Sequence, residues 1–290
     1  MKIIKKTWLI FTLIIISVLS SGQDTSPPEI LAKADFLYAN QEYEAAIKEY
    51  QRYIFYSGSE NVEILLKVAA GLYEMGKYDL SLQYYEQIYY LSSDDEIKFQ
   101  SRLKETTHHI SQKDYNKALI ELYTLSSGYY ELHPEIIDFL FGVCHFGLEE
   151  FNKAEEYFLK ITASSPETSA RIKEIFADEK QFYKPNPNTI SILSLFIPGL
   201  GQMLTGSFKE AGNSFILVGG IGTAMVIVAL RLSIWDAILS LVPWYQRYLV
   251  GGSENAEQLA IEKRSQNRNK IYLEILEVLA PYEEKFEIGE

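Results

Sequence analysis

The residues best suited to chemistry in this sequence are its four histidines, His108, His109, His133 and His145. Imidazole nitrogens bind zinc, and two ligands of one zinc ion each lie about 2 Å from it. His109 and His145, however, occupy the same position of a repeating pattern described below. Equivalent side chains of stacked helix pairs lie roughly 10 Å apart. We therefore expect these histidines to serve packing, and we predict no metal site.

A nucleophile is suggested by Cys144, the only cysteine, which directly precedes His145. Neighbouring residues of a helix do not face each other, so this histidine is poorly placed to act as a base for the thiol. We expect Cys144 to be a small buried apolar side chain. The sequence also lacks the phosphate-binding, dinucleotide-binding, metalloprotease and serine-hydrolase motifs. We predict that the chain is not an enzyme and binds no cofactor.

The element that would position these side chains is a repeat. An aromatic residue is followed by a small residue three positions later and by an apolar residue four positions after that, and this pattern occurs four times. The aromatic and small residues are Tyr43 and Ala46, Tyr78 and Ser81, Tyr115 and Ala118, and Phe151 and Ala154. The steps of 35, 37 and 36 residues are typical of stacked helix pairs. We predict an all-α fold with helix pairs at about 29–57, 61–92, 95–127 and 133–164, and a closing helix at 168–182.

A second set of small residues lies nine positions before each aromatic, at Ala34, Ala69, Thr106 and Gly142. Helices can cross closely only where a side chain is small, and aromatic rings then fill the space beside the crossing. With these positions in phase, residues 29–166 resemble the tetratricopeptide-repeat family. The resemblance implies a solenoid of helical hairpins over residues 23–183, whose concave groove is lined by first helices and binds a protein or peptide.

Carrying the groove positions over by phase gives a mixed polar and apolar set, which suits an amphipathic helix or an extended peptide. The family's chaperone-tail binders use a lysine and asparagine clamp, but Leu31 and Asp35 stand at those positions, so that specificity is not expected. The alternative for each groove residue is ordinary packing between repeats. The predicted groove residues are Asp35, Tyr38, Glu63, Tyr73, Gln100, Thr107, Ile110, Phe139, Val143 and Phe146.

The first 22 residues have the pattern of a secretory signal peptide. Lys2, Lys5 and Lys6 form a basic start, and the apolar run from Trp8 to Leu19 is too short for a comfortable membrane span. The alternative is an uncleaved anchor helix. The proline-bearing stretch 184–189 is predicted to be an extended linker after the solenoid.

The chemistry changes after the linker. We predict a membrane domain of two to three apolar helices over 190–250, because residues 211–230 are uncharged and long enough to cross a bilayer. The last apolar segment contains Asp236, Pro243 and Arg247, so it either spans weakly or lies in the interface. The alternative is a set of buried helices in a soluble domain. Residues 251–290 are predicted to form a C-terminal amphipathic helix.

A distinctive short motif precedes the long apolar stretch. It consists of Pro198, Gly199, Gly201 and Gln202, followed by Gly206. It resembles the motif of an uncharacterised family of bacterial membrane proteins, some of which carry tetratricopeptide-like repeats before it. The resemblance implies a membrane domain and no known activity; Leu204 stands where that family usually has tyrosine. The motif is either a re-entrant element around Gln202 or a packing kink between two helices.

The charge distribution bears on partners and topology. The net charge is −12, and because an acidic domain repels phosphate backbones, we predict no nucleic-acid partner. A basic cluster in the tail, at Lys263, Arg264, Arg268 and Lys270, favours the cytoplasmic side. With an exported repeat region, this predicts three membrane crossings.

Two functions remain open from the sequence. The first is an exported scaffold, anchored in the bilayer of the bacterial inner membrane with its repeats on the periplasmic side, that binds a protein or peptide at the cell envelope. The alternative is a small transporter or envelope-assembly component whose membrane domain is the working element and whose repeats regulate it.

Overall fold

The structure, a computed structural model, describes residues 26–58 and 61–285, and the predicted signal peptide lies outside them. The all-α prediction is confirmed: the described residues form helices arranged as hairpins. They fall into two compact units, the first ending at Ile137 and the second beginning at Asp138. The helices of the first unit are α1 (Pro27–Ala39), α2 (Tyr43–Ser57), α3 (Val62–Glu74), α4 (Tyr78–Leu91), α5 (Asp95–Ser111) and α6 (Tyr115–Tyr129).

Helix α7 (Pro134–Gly147) begins at the end of the first unit and continues into the second. The second unit goes on with α8 (Phe151–Ile161), α9 (Pro166–Phe176), a 3-10 helix (Glu179–Tyr183), α10 (Pro187–Phe196), α11 (Leu200–Thr205), α12 (Phe208–Arg231), α13 (Ile234–Leu279) and a final 3-10 helix (Ala280–Lys285). The predicted closing helix is thus two short elements, and α10 starts inside the predicted linker.

The four hairpins turn in the same way. Two residues before each lead aromatic, the backbone is left-handed, with φ between 60 and 72° at Gln41, Gly76, Lys113 and Glu149. The amide of the next residue then donates back to a carbonyl five positions earlier, at 2.9 Å in all four turns. This bonding pattern is that of a Schellman helix end, which satisfies carbonyls that the helix leaves open. The period read from side chains is therefore also a period of the backbone.

The small residues lie where the helices of each hairpin cross. Ala46, Ser81, Ala118 and Ala154 are all completely buried. Gly142 is the most constrained position of the other small set, because a Cβ atom there would lie only 2.5 Å from the ring of Phe158. The size requirement predicted from helix packing is met at each of these crossings.

The second unit has one core that joins the fourth hairpin to the end of the chain. Phe158 of α8 and Ile172 of α9 share this core with Ile275 and Leu279 of α13, and all four are at most 1% exposed. The C-terminal half of α13 therefore covers the outer face of the last hairpin, where a terminal repeat needs a cap.

Two expectations change as a result. The tail is not a separate amphipathic helix, because α13 runs without a break from Ile234 to Leu279. The core that Ile275 shares with the fourth hairpin leaves no place for a membrane between that hairpin and the end of α13, as the predicted three crossings would require. The basic cluster misled the topology prediction because Arg268, one of its members, pairs with Glu149 of that hairpin.

Candidate binding surface and membrane hairpin

The predicted groove residues of the first unit lie on first helices, and lysines connect neighbouring helices. Lys67 Nζ of α3 donates to Asp35 Oδ1 of α1 at 2.9 Å and lies 3.4 Å from Glu63 Oε1. Tyr50 OH donates to the same Asp35 oxygen at 2.6 Å. On the first helix of the third hairpin, α5, Lys104 Nζ lies 5.9 Å from the ring centre of Tyr73 of α3.

These contacts set the electrostatics of the surface. Burial alone would raise the pKa of Asp35, but the hydrogen bonds from Tyr50 and Lys67 outweigh it and hold the pKa below its usual value. Burial and the neighbouring carboxylate raise the pKa of Tyr50 well above its usual range. The result is a fixed carboxylate and a fixed ammonium on adjacent helices, a pattern that can orient a polar ligand.

Sequence reasoning missed Lys67 and Lys104. Both lie eleven positions before the lead aromatic of their repeats, so a search for charged residues in one phase of the repeat would have found them. The first-helix face of repeats two and three therefore carries one cation per repeat beside the predicted acidic and aromatic residues.

The other predicted groove residues of this unit are less open. Tyr38 makes edge-to-face contacts with Tyr43 and Tyr50, at 5.3 and 6.2 Å between ring centres. Gln100 Nε2 donates to Glu96 within its own helix at 3.2 Å. The hydroxyl of Thr107 also donates within its helix, and Ile110 is half-buried.

The fourth hairpin places its predicted groove residues differently. Phe146 contacts Tyr272 of α13, with 5.5 Å between ring centres, and also packs on Phe182. Val143 is 8% exposed, and Phe139 lies against the core of the second unit. Where the sequence predicted an open groove, the chain's own C-terminal helix covers Phe146.

The glycines of the short motif serve a tight junction of helices. Gly199 (φ +87°) is the N-cap residue just before α11, and a Cβ atom there would lie 2.4 Å from the carbonyl oxygen of Ala211. A Cβ atom on Gly201 would lie 2.4 Å from Ser194 Oγ. Gly206 (φ +91°) ends α11 in open space, so there the backbone angle is what favours glycine. Pro198 precedes this turn, where α10 has already ended.

Gln202 is 1% exposed and joins three helices of this junction. Its Nε2 donates to the Gly252 carbonyl of α13 at 2.6 Å, and its Oε1 accepts from Ser194 Oγ of α10 at 3.0 Å. A buried amide with both ends bonded fixes the packing of the helices around it. The motif residue Gln202 thus lies in a packed junction of α10, α11 and α13. A cleft of about 240 Å³ opens beside Gln202, between α12 and α13.

Helix α12 is the one helix in ranges 26–58 and 61–285 that is long and apolar enough to cross a membrane. Only 6% of its most apolar stretch is buried, so it does not have the environment of a core helix in a soluble protein. It packs on α13: a Cβ atom on Gly252 of α13 would lie 2.8 Å from Ser214 Oγ of α12. The two helices form a hairpin (208–254), called here the membrane hairpin after the bilayer anchoring proposed below.

The histidines and the cysteine lie in packed surroundings. His145 is 2% exposed, its Nδ1 lies 2.6 Å from Glu150 Oε2, and its ring stacks on Tyr157. His133 Nε2 lies 2.8 Å from Glu96 Oε2. Cys144 is completely buried, and burial raises the pKa of its thiol to about 12. Across the described part of the chain, no group of three or more histidine, cysteine, aspartate or glutamate side chains could hold a metal ion.

Comparison of the chain with protein-family models, with curated proteins and with solved structures found no match.

Proposed function

We propose that this chain is a membrane-anchored helical-repeat scaffold whose first-helix surface binds a protein or peptide partner at a bacterial cell envelope, without catalysis of its own. In this proposal the chain belongs with the tetratricopeptide-repeat proteins. The repeats lie on the periplasmic side of the inner membrane, and the membrane hairpin holds them there.

The observation that carries the anchor is the exposure of α12. A helix of 24 residues is about 36 Å long, enough to cross a hydrocarbon core of roughly 30 Å. Large apolar side chains point outward along it, among them Phe215, Ile216 and Val226, each more than half exposed. Such a surface would be unstable in water, whereas a bilayer would cover it.

The partner surface is supported by the first unit. A fixed Asp35 carboxylate, the Lys67 and Lys104 ammonium groups and the Tyr73 ring occupy neighbouring first helices. Mixed charged and aromatic surfaces of this kind suit recognition of a peptide by side-chain contacts. Tyr73 is half-buried and can be contacted from outside.

Two measurements test the proposal. Full-length protein should remain in the membrane pellet after high salt and carbonate washing, because burial in hydrocarbon does not depend on ionic strength; release into the supernatant would refute the anchor. A photo-crosslinking residue at Tyr73 should capture a partner in intact cells, and the Lys104→Glu change should weaken the capture. The matched control is Phe55, an exposed residue on a second helix; equal capture from both positions would refute the assigned surface.

A further inference from the structure

The contacts within the membrane hairpin fix its register. Gly252 of α13 lies opposite Ser214 of α12. In the same way, a Cβ atom on Gly222 of α12 would lie 3.6 Å from the ring of Tyr245 of α13. Both contacts describe antiparallel helices in nearly the same register. Five residues before Gly252 on α13 stands Arg247, and five residues after Ser214 on α12 stands Gly219. The antiparallel register therefore places Arg247 level with Gly219.

In the proposed anchor α13 crosses the bilayer beside α12, and this register then places Arg247 deep in the span. The uncharged stretch of α12 runs over 211–230, so its middle lies near residue 220. At 1.5 Å per residue, Arg247 is within about 2 Å of that middle along the helix axis.

Arg247 belongs to a polar face of α13, called here the polar stripe. Its residues recur at spacings of three or four, so they lie on one side of the helix, and all of them are exposed. Pro243 has no N–H, so the carbonyl four residues earlier lacks its hydrogen bond within the helix. That carbonyl is a further polar group. The residues of the polar stripe are Asp236, Ser240, Pro243, Arg247, Gly251 and Glu254.

The hairpin itself supplies no counter-charge for Arg247. None of the ion pairs in the described residues involves it, and the stripe carboxylates Asp236 and Glu254 are about 16 and 10 Å away along the axis. Side chains of a helix tilt toward its N-terminus. In α13 the N-terminal end lies at the membrane surface that is more distant from Arg247. Escape of the guanidinium to the nearer headgroups is therefore disfavoured.

An exposed charge at the middle of a bilayer is costly, and such residues are found facing a protein partner or a water-filled cavity. We propose that the polar stripe docks a transmembrane helix of another protein that carries an aspartate or glutamate at mid-bilayer depth. This inference rests on the proposed membrane anchoring. The carboxylate would form a charge-assisted pair with Arg247, and the open space at Gly251 would let the partner helix approach closely.

A second copy of this chain does not meet the requirement. Two copies inserted in the same direction would place Arg247 opposite Arg247 at one depth. Their carboxylates, on Asp236 and Glu254, would remain at the depths of the two membrane surfaces. Like charges at mid-bilayer repel, so charge complementarity selects a different chain.

The test is photo-crosslinking of the full chain in native membranes, with the probe at Ser240. The control is Val226 on α12, which the register places at the same depth on a different, exposed face. We expect a protein adduct from Ser240 and none from Val226. The adduct peptide should come from an apolar segment that contains an aspartate or glutamate. The adduct should persist in Arg247→Lys and fall at least tenfold in Arg247→Glu, and a change of the partner's acid to lysine should restore it in Arg247→Glu.

Several results would overturn the proposal. They are an adduct with a second copy of the chain, an adduct with lipid only, or a protein adduct of undiminished yield in Arg247→Glu. Carbonate washing of each variant separates the two proposals: a chain in the pellet without the adduct refutes docking alone, whereas a chain in the supernatant refutes the anchor and docking with it.

Discussion

Removing the Arg268 side chain should loosen the C-terminal half of α13 from the fourth hairpin. Its Nη2 donates to Glu149 Oε2 at 2.8 Å, its Nη1 donates to the other carboxylate oxygen, and its Nε donates to the Phe182 carbonyl at 2.7 Å. One side chain thus bridges the hairpin turn and the 3-10 helix to α13. Arg268→Ala removes all three bonds and leaves the Phe182 carbonyl without this donor.

The magnitude follows from exposure. The Glu149 side chain is 45% exposed, so water screens the ion pair and we assign it about 1 kcal/mol. The carbonyl bond to a charged donor adds about 1 kcal/mol. A loss of about 2 kcal/mol corresponds to roughly 30-fold more frequent local opening.

Hydrogen–deuterium exchange of the protein in detergent measures this opening. Amides in 268–279 and 179–183 should exchange roughly 30-fold faster in Arg268→Ala, with a smaller change in Arg268→Lys because lysine lacks the planar fork. The matched control is Arg264→Ala, one turn earlier on the same helix, where the charge alone acts on Glu149. Unchanged exchange in Arg268→Ala, or an equal effect from Arg264→Ala, would contradict the assigned contacts.

Three further outcomes are expected. Gly142→Ala should lower the free energy of unfolding by about 1–3 kcal/mol through overpacking, and the thermal midpoint with it. Gly128→Ala, with open space around it, should leave the midpoint unchanged or raise it. The hydrogen bond from Arg268 lowers the pKa of Glu149 against the opposing effect of burial, so its stabilisation is present above the usual value of 4.5 and is lost as pH falls through the lowered pKa. Glu149→Gln should therefore lower the thermal midpoint at pH 7, and the difference should vanish in acid. Single cysteines at Ser164, in the turn that follows the fourth hairpin, and Ala280, in a background without the native cysteine, should label from the same side of the membrane with an impermeant maleimide; opposite labelling would refute the shared core.

Local periodicity determined the repeat architecture of this protein. The spacing of aromatic and small residues predicted the hairpins, because close crossing of two helices leaves no room for a large side chain. The same spacing located the turns, which share one backbone conformation from Gln41 to Glu149. Gln202 and its glycines were also visible as a motif, and they lie at the junction of α10, α11 and α13.

Tertiary structure decided what covers each apolar face. The sequence of α13 shows that Ile275 and Leu279 need burial, but an amphipathic pattern does not say which element buries them; the core with α8 and α9 does. For the same reason Arg268 predicted a cytoplasmic tail by its charge and turned out to pair with Glu149. The position of Arg247 level with Gly219 depends on the register of two helices, which the contacts of Gly252 with Ser214 and of Gly222 with Tyr245 fix.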